Sequence, residues 1–268
     1  MKDTLKLLLV SDIHLGRLIE HRPGMEAVAL LEALGRHVQE SGDFDAVVEM
    51  GDRVNNTSHE EDLRHAAEVK AMLDGFGVPV YSLLGNHDRH YLSLEENETI
   101  LGIKSPYRSV LVKGFRLVFL NTADPVVLDC GGHVSDGQKA WLEREVEAGC
   151  EPKLVFGHHA IQIQNQEGNP FFADIRGQEY VDNRADVQKV LEAGSRVLAY
   201  CNGHVHWNHF AVKDNIVYAS VASLAEAYPE FSHAPGRYSE MTVTQNGHIE
   251  LLSCMLSPHR ALGREEWN

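Results

Sequence analysis

The sequence predicts an α/β fold in which two facing mixed β-sheets, together a β-sandwich, are flanked by α-helices. Residues 5–84 alternate strand-like apolar runs with helical segments, which is typical of parallel strands joined by right-handed crossovers. The later part instead contains short strands in pairs around turn residues, which indicates hairpins. Because no linker, low-complexity stretch or internal repeat interrupts the chain, we predict a single domain over residues 1–268.

The first part of the chain supplies three predicted strands and two predicted helices. The run Leu5–Val10 is apolar throughout, as expected for a strand that is covered on both faces. Apolar residues recur at helical spacing after Met25, and Ser58 with Glu61 forms a predicted capping box at the start of the second helix. We therefore predict strands over 5–10, 45–50 and 78–84 and helices over 25–38 and 58–76.

Turn and cap signals define the elements of the later part. Lys113-Gly114, Asp214-Asn215 and Asn246-Gly247 each separate two short apolar runs, and the last of these is a strong hairpin signal. Ser135 is a predicted N-cap, and Gly149 is a predicted stop for the same helix. The predicted strands are 109–112, 116–120, 153–156, 196–202, 210–213, 216–220, 238–244 and 248–255, and the predicted helices are 137–148 and 182–193.

The composition is that of an ordinary soluble globular protein, with 43% hydrophobic and 24% charged residues. Its 24 Lys and Arg against 39 Asp and Glu give a net charge of −15, which disfavours binding to duplex nucleic acid. A small anionic substrate is still compatible with this charge, because bound metal ions reverse the local field. The four cysteines form no CxxC pattern, and neither a signal peptide nor an 18-residue apolar run is recognisable, so we expect a cytoplasmic protein without membrane contact.

Five short segments rich in Asp, Asn and His each follow a predicted strand. The carboxyl ends of neighbouring strands meet at one edge of a sheet, so we expect these side chains to converge. Any one segment alone is more often an ordinary turn, but the five together indicate a metal site, because these side chains supply the ligands that divalent cations use. The segments are Asp12-Ile13-His14, Gly51-Asp52-Arg53-Val54-Asn55, Gly85-Asn86-His87-Asp88, Gly157-His158-His159 and Gly203-His204-Val205-His206.

The number of donors favours two metals over one. Seven donors exceed the needs of one tetrahedral zinc ion, whereas two cations can share Asp52, because a carboxylate has two oxygens. Two such cations about 3.5–4 Å apart can bind a phosphate and generate a hydroxide at neutral pH. His87 is then the predicted catalytic imidazole, which protonates the leaving oxygen or stabilises charge on the phosphate. The predicted ligands are Asp12, His14, Asp52, Asn86, His158, His204 and His206.

Other polar residues near these segments are weaker candidates for substrate binding. His159 either positions the metals and phosphate or is simply packed, and Arg53 either meets an anionic substrate or forms a surface ion pair. His209 follows the last segment closely and is a further candidate contact. The polar, aperiodic residues 162–182 predict a loop over the site, and residues 225–236 line either a pocket or a subunit contact.

The five segments resemble, in order, the pattern of the calcineurin-like metallophosphoesterase superfamily, which reads D-x-H, G-D-x-x-[DN], G-N-H-[DE], G-H-H and G-H-x-H. The resemblance spans residues 12–206. It implies a β-sandwich flanked by helices, with His87 as the active-site imidazole beside the phosphate. It also implies two metals, one held by Asp12, His14, Asp52 and His206 and the other by Asp52, Asn86, His158 and His204.

Two stretches resemble more specifically the class III cyclic-nucleotide phosphodiesterases and the glycerophosphodiesterases. They are residues 51–56 with the helix that follows, and residues 79–89. In the phosphoprotein phosphatases of the superfamily the second block ends in Asp followed by an arginine that touches phosphate, whereas this chain has Asn55 and Asn56. We expect Asn55 to orient His87 through its amide oxygen. The tyrosine ligand of purple acid phosphatases is also missing from the second block.

The sequence thus predicts a dinuclear-metal hydrolase of small phosphodiesters, of the cyclic-nucleotide or glycerophosphodiester kind, in which a metal hydroxide attacks phosphorus. A phosphomonoesterase or a nucleotide pyrophosphatase with the same metal centre is the alternative, and a non-catalytic metal-binding scaffold is a remote one. The donor set suits two ions of Mn, Fe, Zn or Co. A homodimer or a higher homo-oligomer is compatible with the sequence.

Overall fold

The computed structural model describes residues 4–17, 23–175, 177–227, 232–256 and 259–267. Within them the elements follow the chain as β1 (Thr4–Val10), α1 (Ala27–Ser41), β2 (Ala46–Glu49), α2 (His59–Asp74), β3 (Val80–Ser82), α3 (Leu94–Leu101), β4 (Arg108–Val112), β5 (Phe115–Phe119), α4 (Asp136–Glu147), β6 (Lys153–Phe156), α5 (Arg184–Ala193), β7 (Val197–Asn202), β8 (His209–Lys213), β9 (Ile216–Ser220), β10 (Arg237–Thr244), β11 (Ile249–Leu256) and β12 (His259–Trp267).

Twelve strands form two mixed six-stranded sheets, which confirms the predicted fold class. The first sheet has the order β12-β11-β10-β1-β2-β3, in which β1, β2 and β3 are parallel and the remaining pairings are antiparallel. The second has the order β4-β5-β6-β7-β9-β8. Strands β5, β6, β7 and β9 are parallel, and the edge strands β4 and β8 are antiparallel to their neighbours. The parallel strands of each sheet therefore bring their carboxyl ends to a common edge.

The alternation of side chains along β1 shows how the core divides. Leu5, Leu7 and Leu9 pack against the second sheet, whereas Leu8 and Val10 pack against α1 and α2 on the outer face. The second sheet is covered in the same way by α4 and α5. Both faces of β1 are buried, and this burial explains why its sequence is a continuous apolar run.

The structure differs from the predicted elements at a few places. Helix α3 and strand β12 were not predicted, although Ser93 and Glu96 form a complete capping box at the start of α3. The capping box predicted at α2 is only half formed. Ser58 accepts from the backbone of Glu61, but the Glu61 carboxylate pairs with Arg17. Among the described residues every helix is too short or too polar to span a bilayer.

Candidate metal centre

The seven predicted ligands converge at the carboxyl edges of the two sheets. They occupy the turns that follow β1, β2 and β3 in the first sheet and β6 and β7 in the second. None exposes more than 8% of its surface. The convergence predicted from the strand ends is therefore present in the fold.

One group of donors consists of Asp12, His14 and His206. The Nε2 atoms of the two histidines are 3.1 Å apart, and His206 Nε2 is 3.4 Å from Asp12 Oδ1. Asp12 is held in this position because both of its carboxylate oxygens accept from the backbone N–H of His204. The backbone N–H of His204 and the side chain of His206, both in the last segment, thus contact Asp12 in the first segment and hold it in position.

A second group of donors surrounds Asp52. His158 Nε2 lies 3.2 Å from Asp52 Oδ2 and 3.2 Å from Asn86 Oδ1, and the His204 ring packs edge-on against the His158 ring at 5.0 Å between centroids. Asp12, Asp52 and His158 also form a donor cluster of their own. The two groups are therefore contiguous, with the two carboxylates between them.

Only one oxygen of Asp52 faces both groups. Oδ1 accepts from the backbone N–H of His87 at 2.8 Å. Oδ2 lies 3.2 Å from His158 Nε2 and 3.9 Å from His14 Nε2. Oδ2 is therefore the oxygen placed for a contact that two cations share.

Hydrogen bonds to the outer nitrogens orient three of the imidazole rings. Nδ1 of His158 donates to the carbonyl oxygen of Met50 at 2.8 Å, and Nε2 of His204 donates to that of Gln178 at 3.0 Å. Nδ1 of His206 faces the buried carboxylate of Glu226 at 3.4 Å. Once such a ring is neutral, its other nitrogen has the lone pair that a metal ligand requires.

This donor chemistry fits cations. Nε2 of His206 directs a buried lone pair at Nε2 of His14, and a buried carboxylate lies beside both. Such a concentration of electron pairs is stable when a proton or a metal ion lies among them. Imidazole nitrogens with carboxylate and amide oxygens suit Mn, Fe, Zn and Co ions equally, so the residues define a metal centre without selecting the metal.

The charges of the two carboxylates control the protonation of the nearby histidines. Burial disfavours charge on His158, but Asp52 and Asp12 outweigh it and raise the pKa of that imidazole to about 9. Burial, together with the charge of His158, lowers the pKa of His204 to about 3. Burial also opposes ionisation of Asp52, yet the neighbouring imidazoles of His158 and His87 hold its pKa well below the usual range. His204 is thus neutral and ready to bind, whereas His158 carries a proton that a cation must displace.

The backbone is strained at the same positions. Five of the seven candidate ligands adopt the left-handed region, which non-glycine residues rarely occupy. Close approaches in this region also require glycine. A Cβ atom at Gly85 would lie 2.1 Å from Asp52 Oδ1, and one at Gly203 would lie 1.8 Å from the Ser11 hydroxyl. The left-handed ligands are Asp12 (φ 54°), His14 (φ 49°), Asp52 (φ 57°), His204 (φ 67°) and His206 (φ 61°).

His87 lies at the margin of the donors, where its ring forms a further donor group with His14 and Asp52. Its ring packs edge-on against His14 at 4.7 Å, and its Nε2 is 4.0 Å from Asp52 Oδ2. The expectation that Asn55 orients it is wrong, because His87 Nδ1 is instead bonded to Asn56 Oδ1 at 2.7 Å. The side-chain amide of Asn55 donates to the carbonyl oxygen of Arg17. Nδ1 of His87 is therefore held by a neutral amide, and Nε2 faces the site.

Arg53 is neither a substrate contact nor part of a surface ion pair, so both readings from the sequence are wrong. It is fully buried and pairs with Glu49 at 2.9 Å and with Asp88 at 3.2 Å. Asp88 also accepts from the backbone N–H groups of Asp52, Arg53 and Gly85. The guanidinium thus stabilises the turn that carries Asp52, from behind the metal centre.

The two remaining candidates also lie away from any open cleft. His159 is fully buried, where its Nδ1 accepts from the Thr122 hydroxyl and its Nε2 donates to the Cys130 carbonyl. It packs against His158 and His204, so its position is that of a brace for the ligands. His209 lines a separate cavity of about 190 Å³ with residues of β11 and β12.

Several contributing residues were missed by the sequence analysis. Glu226 and Gln178 orient metal-facing histidines, and the Thr122 hydroxyl accepts from the backbone of His158 and His159. Each lies outside the five segments and shares no spacing with them. Of the segment 225–236, residues 228–231 lie outside the described residues.

The described residues of the predicted loop over 162–182 form no helix or strand beyond isolated bridges at Tyr180 and Val181, and the loop packs against the site. Its Phe171 ring contacts His206 and its Phe172 ring contacts His204, each at 4.9 Å between centroids. A cavity of about 830 Å³ lies along the same loop, and Phe172 forms part of its wall. None of the seven candidate ligands lines that cavity, so we assign the chemistry to the donor cluster.

Comparison with known families decides the assignment. The sequence profile described as calcineurin-like phosphoesterase matches residues 5–208, which contain all five segments. The chain belongs to this family. Members of this metal-dependent phosphoesterase family use two divalent metal ions, in agreement with the donor cluster found here.

Solved structures share this family's fold at low sequence identity. A dimetal phosphatase from Danio rerio superposes with a TM-score of 0.77 and 17% identity over 98% of both chains. A purple acid phosphatase from yellow lupin (Lupinus luteus) seeds has a TM-score of 0.70 and 14% identity over 98% of this chain and 53% of that one. GAP50, the anchor in the inner membrane complex of Plasmodium, has a TM-score of 0.63 and 10% identity over 99% and 89%. No curated protein matches the sequence significantly.

Replacement of Arg53 by Met should destabilise the fold strongly, because Glu49 and Asp88 then remain buried without their cation. We expect the free energy of unfolding to fall by about 3–5 kcal/mol, measured by urea denaturation. Arg116→Met is the matched control, since Arg116 pairs with Glu151 near the surface and its loss should cost less than about 1 kcal/mol. Equal losses in the two variants would contradict the proposed support of the Asp52 turn.

Replacement of Asp52 by Ala should remove at least one bound metal, because Oδ2 is the oxygen that faces both donor groups. The protein is reconstituted with Mn²⁺, desalted and analysed by inductively coupled plasma mass spectrometry. Asp136→Ala, which removes a carboxylate that is 97% exposed, is the control. Unchanged metal stoichiometry in the Asp52 variant would exclude a shared ligand at this position.

Metal binding should weaken as the pH falls below about 9, because His158 then holds a proton that the cation must displace. Isothermal titration of Mn²⁺ in two buffers of different ionisation enthalpy should detect roughly one released proton near pH 7.5. Binding without proton release would show that His158 is already neutral. In the metal-free protein, the raised pKa stabilises the fold fully below pH 6.5, and this contribution is lost as the pH rises through about 9.

Proposed function

We propose that the protein is a dinuclear-metal hydrolase of small phosphodiesters, with cyclic-nucleotide or glycerophosphodiester-like substrates. The observation that supports this most directly is the buried donor cluster around Asp52, with His87 at its margin. The two stretches that resemble class III phosphodiesterases, residues 51–56 and 79–89, support the same substrate class.

Two roles are assigned to the side chains of the site, which are metal binding and proton transfer. Asp12, His14, Asp52 and His206 would hold one metal ion, and Asp52, Asn86, His158 and His204 the other. When bound, such a pair of cations polarises the phosphorus–oxygen bonds and supplies a nucleophile at neutral pH. His87 directs Nε2 at the site, because Nδ1 is engaged by Asn56. In the imidazolium form, with Nδ1–H donated to Asn56, that nitrogen can give its proton to the leaving oxygen as the ester bond breaks, which leaves a neutral imidazole.

The distribution of charge favours a diester over a monoester. A phosphate monoester is a dianion near neutral pH, whereas a diester carries one negative charge. Two arginines of the described residues are engaged elsewhere: Arg53 with Glu49 and Asp88, and Arg17 with Glu61. The position that holds a phosphate-contacting arginine in phosphoprotein phosphatases is Asn56. With Asn56 at that position, the metals and His87 would supply the charge at the phosphate, which suits a monoanion.

Two other functions remain as alternatives. The Danio rerio and lupin neighbours are phosphatases, so a phosphomonoesterase with the same metal centre is the second candidate, and a nucleotide pyrophosphatase would use the same residues. A non-catalytic scaffold is the third, and GAP50 is a neighbour of the same fold with an anchoring role. The complete set of donors together with His87 weighs against a scaffold, because binding alone does not need a proton donor.

A substrate panel distinguishes these functions. The protein reconstituted with Mn²⁺ is assayed on bis(4-nitrophenyl) phosphate, 4-nitrophenyl phosphate and a nucleoside diphosphate sugar. We expect the highest kcat/KM on the diester. A preference for the monoester or the diphosphate would replace the proposed substrate class, and no turnover on any of the three would favour the scaffold.

Replacement of His87 by Ala should separate catalysis from metal binding. We expect both metals to remain and kcat on the diester to fall by about 10²–10⁴-fold, the usual contribution of a general acid. His59→Ala is the control, because His59 is an exposed histidine that pairs with Glu96 on the protein surface. Loss of metal from the His87 variant would refute its role as a proton donor.

A further inference from the structure

Three buried imidazoles lie close enough together to form a metal site without any carboxylate. His158, His159 and His204 each place a ring nitrogen within 4.8 Å of those of the other two. Three histidines can hold a zinc ion and leave its fourth position open. The chain therefore offers the second cation two sets of donors, one that includes His159 and one in which Asp52 and Asn86 take its place.

The contacts of the Thr122 hydroxyl decide between these two sets. Its oxygen accepts from the backbone N–H of His158 at 3.2 Å and from that of His159 at 3.1 Å, so both of its lone pairs are used. Its hydrogen is left for Nδ1 of His159, which lies 2.8 Å away. Nδ1 therefore accepts from the hydroxyl, and its lone pair is not available to a metal ion.

The other nitrogen of the His159 ring leads to the same tautomer. Nε2 lies 2.8 Å from the carbonyl oxygen of Cys130. A carbonyl oxygen cannot donate, so the ring hydrogen is on Nε2, and Nδ1 of the neutral ring is an acceptor. Two independent contacts thus require one arrangement of protons, in which neither ring nitrogen of His159 can bind a cation.

The backbone of His159 is held as tightly as its ring. Its carbonyl oxygen accepts from the Tyr200 hydroxyl at 2.8 Å, and its N–H is one of the two that Thr122 binds. Gly132 lies directly against the ring, because a Cβ atom at that position would be 2.6 Å from Cγ of His159. The ring can therefore turn a nitrogen towards a cation only by breaking its bonds to Thr122 and Cys130.

The same hydroxyl leaves the neighbouring histidine in position to bind. Thr122 contacts only the backbone of His158, whose Nδ1 donates to the Met50 carbonyl. Nε2 of His158 lies 3.2 Å from Asp52 Oδ2 and 3.2 Å from Asn86 Oδ1. One hydroxyl group thus anchors the turn that carries a ligand and occupies a ring nitrogen of the histidine that would compete for the metal.

We propose that Thr122 is a positioning residue that determines the metal selectivity of the centre, because by occupying His159 it keeps the second cation on the mixed oxygen and nitrogen donors around Asp52. The carboxylate and amide oxygens of that set suit Mn²⁺, whereas a third imidazole in their place raises the preference for Zn²⁺. The inference concerns metal binding and holds whichever phosphoester is hydrolysed.

Thr122→Val tests this role, because valine has nearly the same shape without the hydroxyl. We expect Mn²⁺ to bind one of its two sites roughly 10–100-fold more weakly and Zn²⁺ to lose less, so that the ratio of Zn²⁺ to Mn²⁺ association constants rises about tenfold. Both metals are titrated into the metal-free protein by isothermal titration calorimetry. Thr122→Ser is the matched control, since it keeps the hydroxyl and should keep the wild-type ratio. Equal weakening of both metals in Thr122→Val, or no weakening, would overturn the proposal.

A double variant identifies the imidazole that Thr122→Val releases. In Thr122→Val combined with His159→Gln no third imidazole remains, so the ratio of the two association constants should return to the wild-type value. A ratio that stays raised in the double variant would show that His159 is not the source of the change and would contradict the proposed selectivity.

The tautomer can be measured in the wild-type protein, which needs no variant to fold. Nuclear magnetic resonance of ¹⁵N-labelled protein distinguishes protonated from unprotonated ring nitrogens. We expect the His159 ring to carry its proton on Nε2 both without metal and with Zn²⁺ bound. A proton on Nδ1, or a shift of the His159 nitrogens on Zn²⁺ binding as large as that of His158, would refute the proposal. Either result leaves the proposed function intact, because the substrate panel tests that function separately.

Discussion

The position of one carboxylate oxygen, Oδ2 of Asp52, governs the geometry of the whole site. The other oxygen is held by the backbone N–H of His87, so the carboxylate cannot turn away without breaking that bond, and the backbone of Asp52 is held in turn by Asp88. Asp88 is in turn balanced by Arg53, which also balances Glu49. Three carboxylates and one guanidinium therefore lie in a region without solvent, and such an arrangement is stable only while every charge keeps its partner.

Backbone strain at the carboxyl edges of the sheets shows that the turns with the ligands adopt conformations that their residues do not prefer. Left-handed conformations at non-glycine residues cost about 1–3 kcal/mol each when they are enforced by their surroundings. Here they occur in the turns just beyond β1, β2 and β7. Those strands are anchored by the apolar core between the two sheets, so burial elsewhere offsets the strain. The fold therefore supplies the rigidity, and the turns supply the direction in which each ligand points.

The convergence of the five segments could be predicted from the sequence, because apolar runs indicate where strands end and the β–α–β alternation indicates that they are parallel. The contacts that hold the ligands and His87 in position could not be predicted from the sequence. Asn55 and Asn56 are adjacent and chemically identical, and the left-handed backbone of Asn56 (φ 46°) belongs to the turn that presents its side chain to His87. Arg53 was expected at a surface or a cleft because isolated cations are rarely buried, and only the fold brings two carboxylates to it. Glu226 lies twenty residues beyond the last segment, where no spacing rule applies.

The contact between Asn169 and Val205 links the loop over 162–182 to the metal centre. Val205 is the residue between His204 and His206, both of which hold strained conformations. A displacement of the loop would therefore withdraw a hydrogen bond from the turn that directs these two ligands. Conversely, an error in that turn would move Asn169, whose amide oxygen accepts from the backbone N–H groups of Phe171 and Phe172. Because strained residues persist only where surrounding contacts over-determine them, the anchored loop is part of what keeps these two ligands in place.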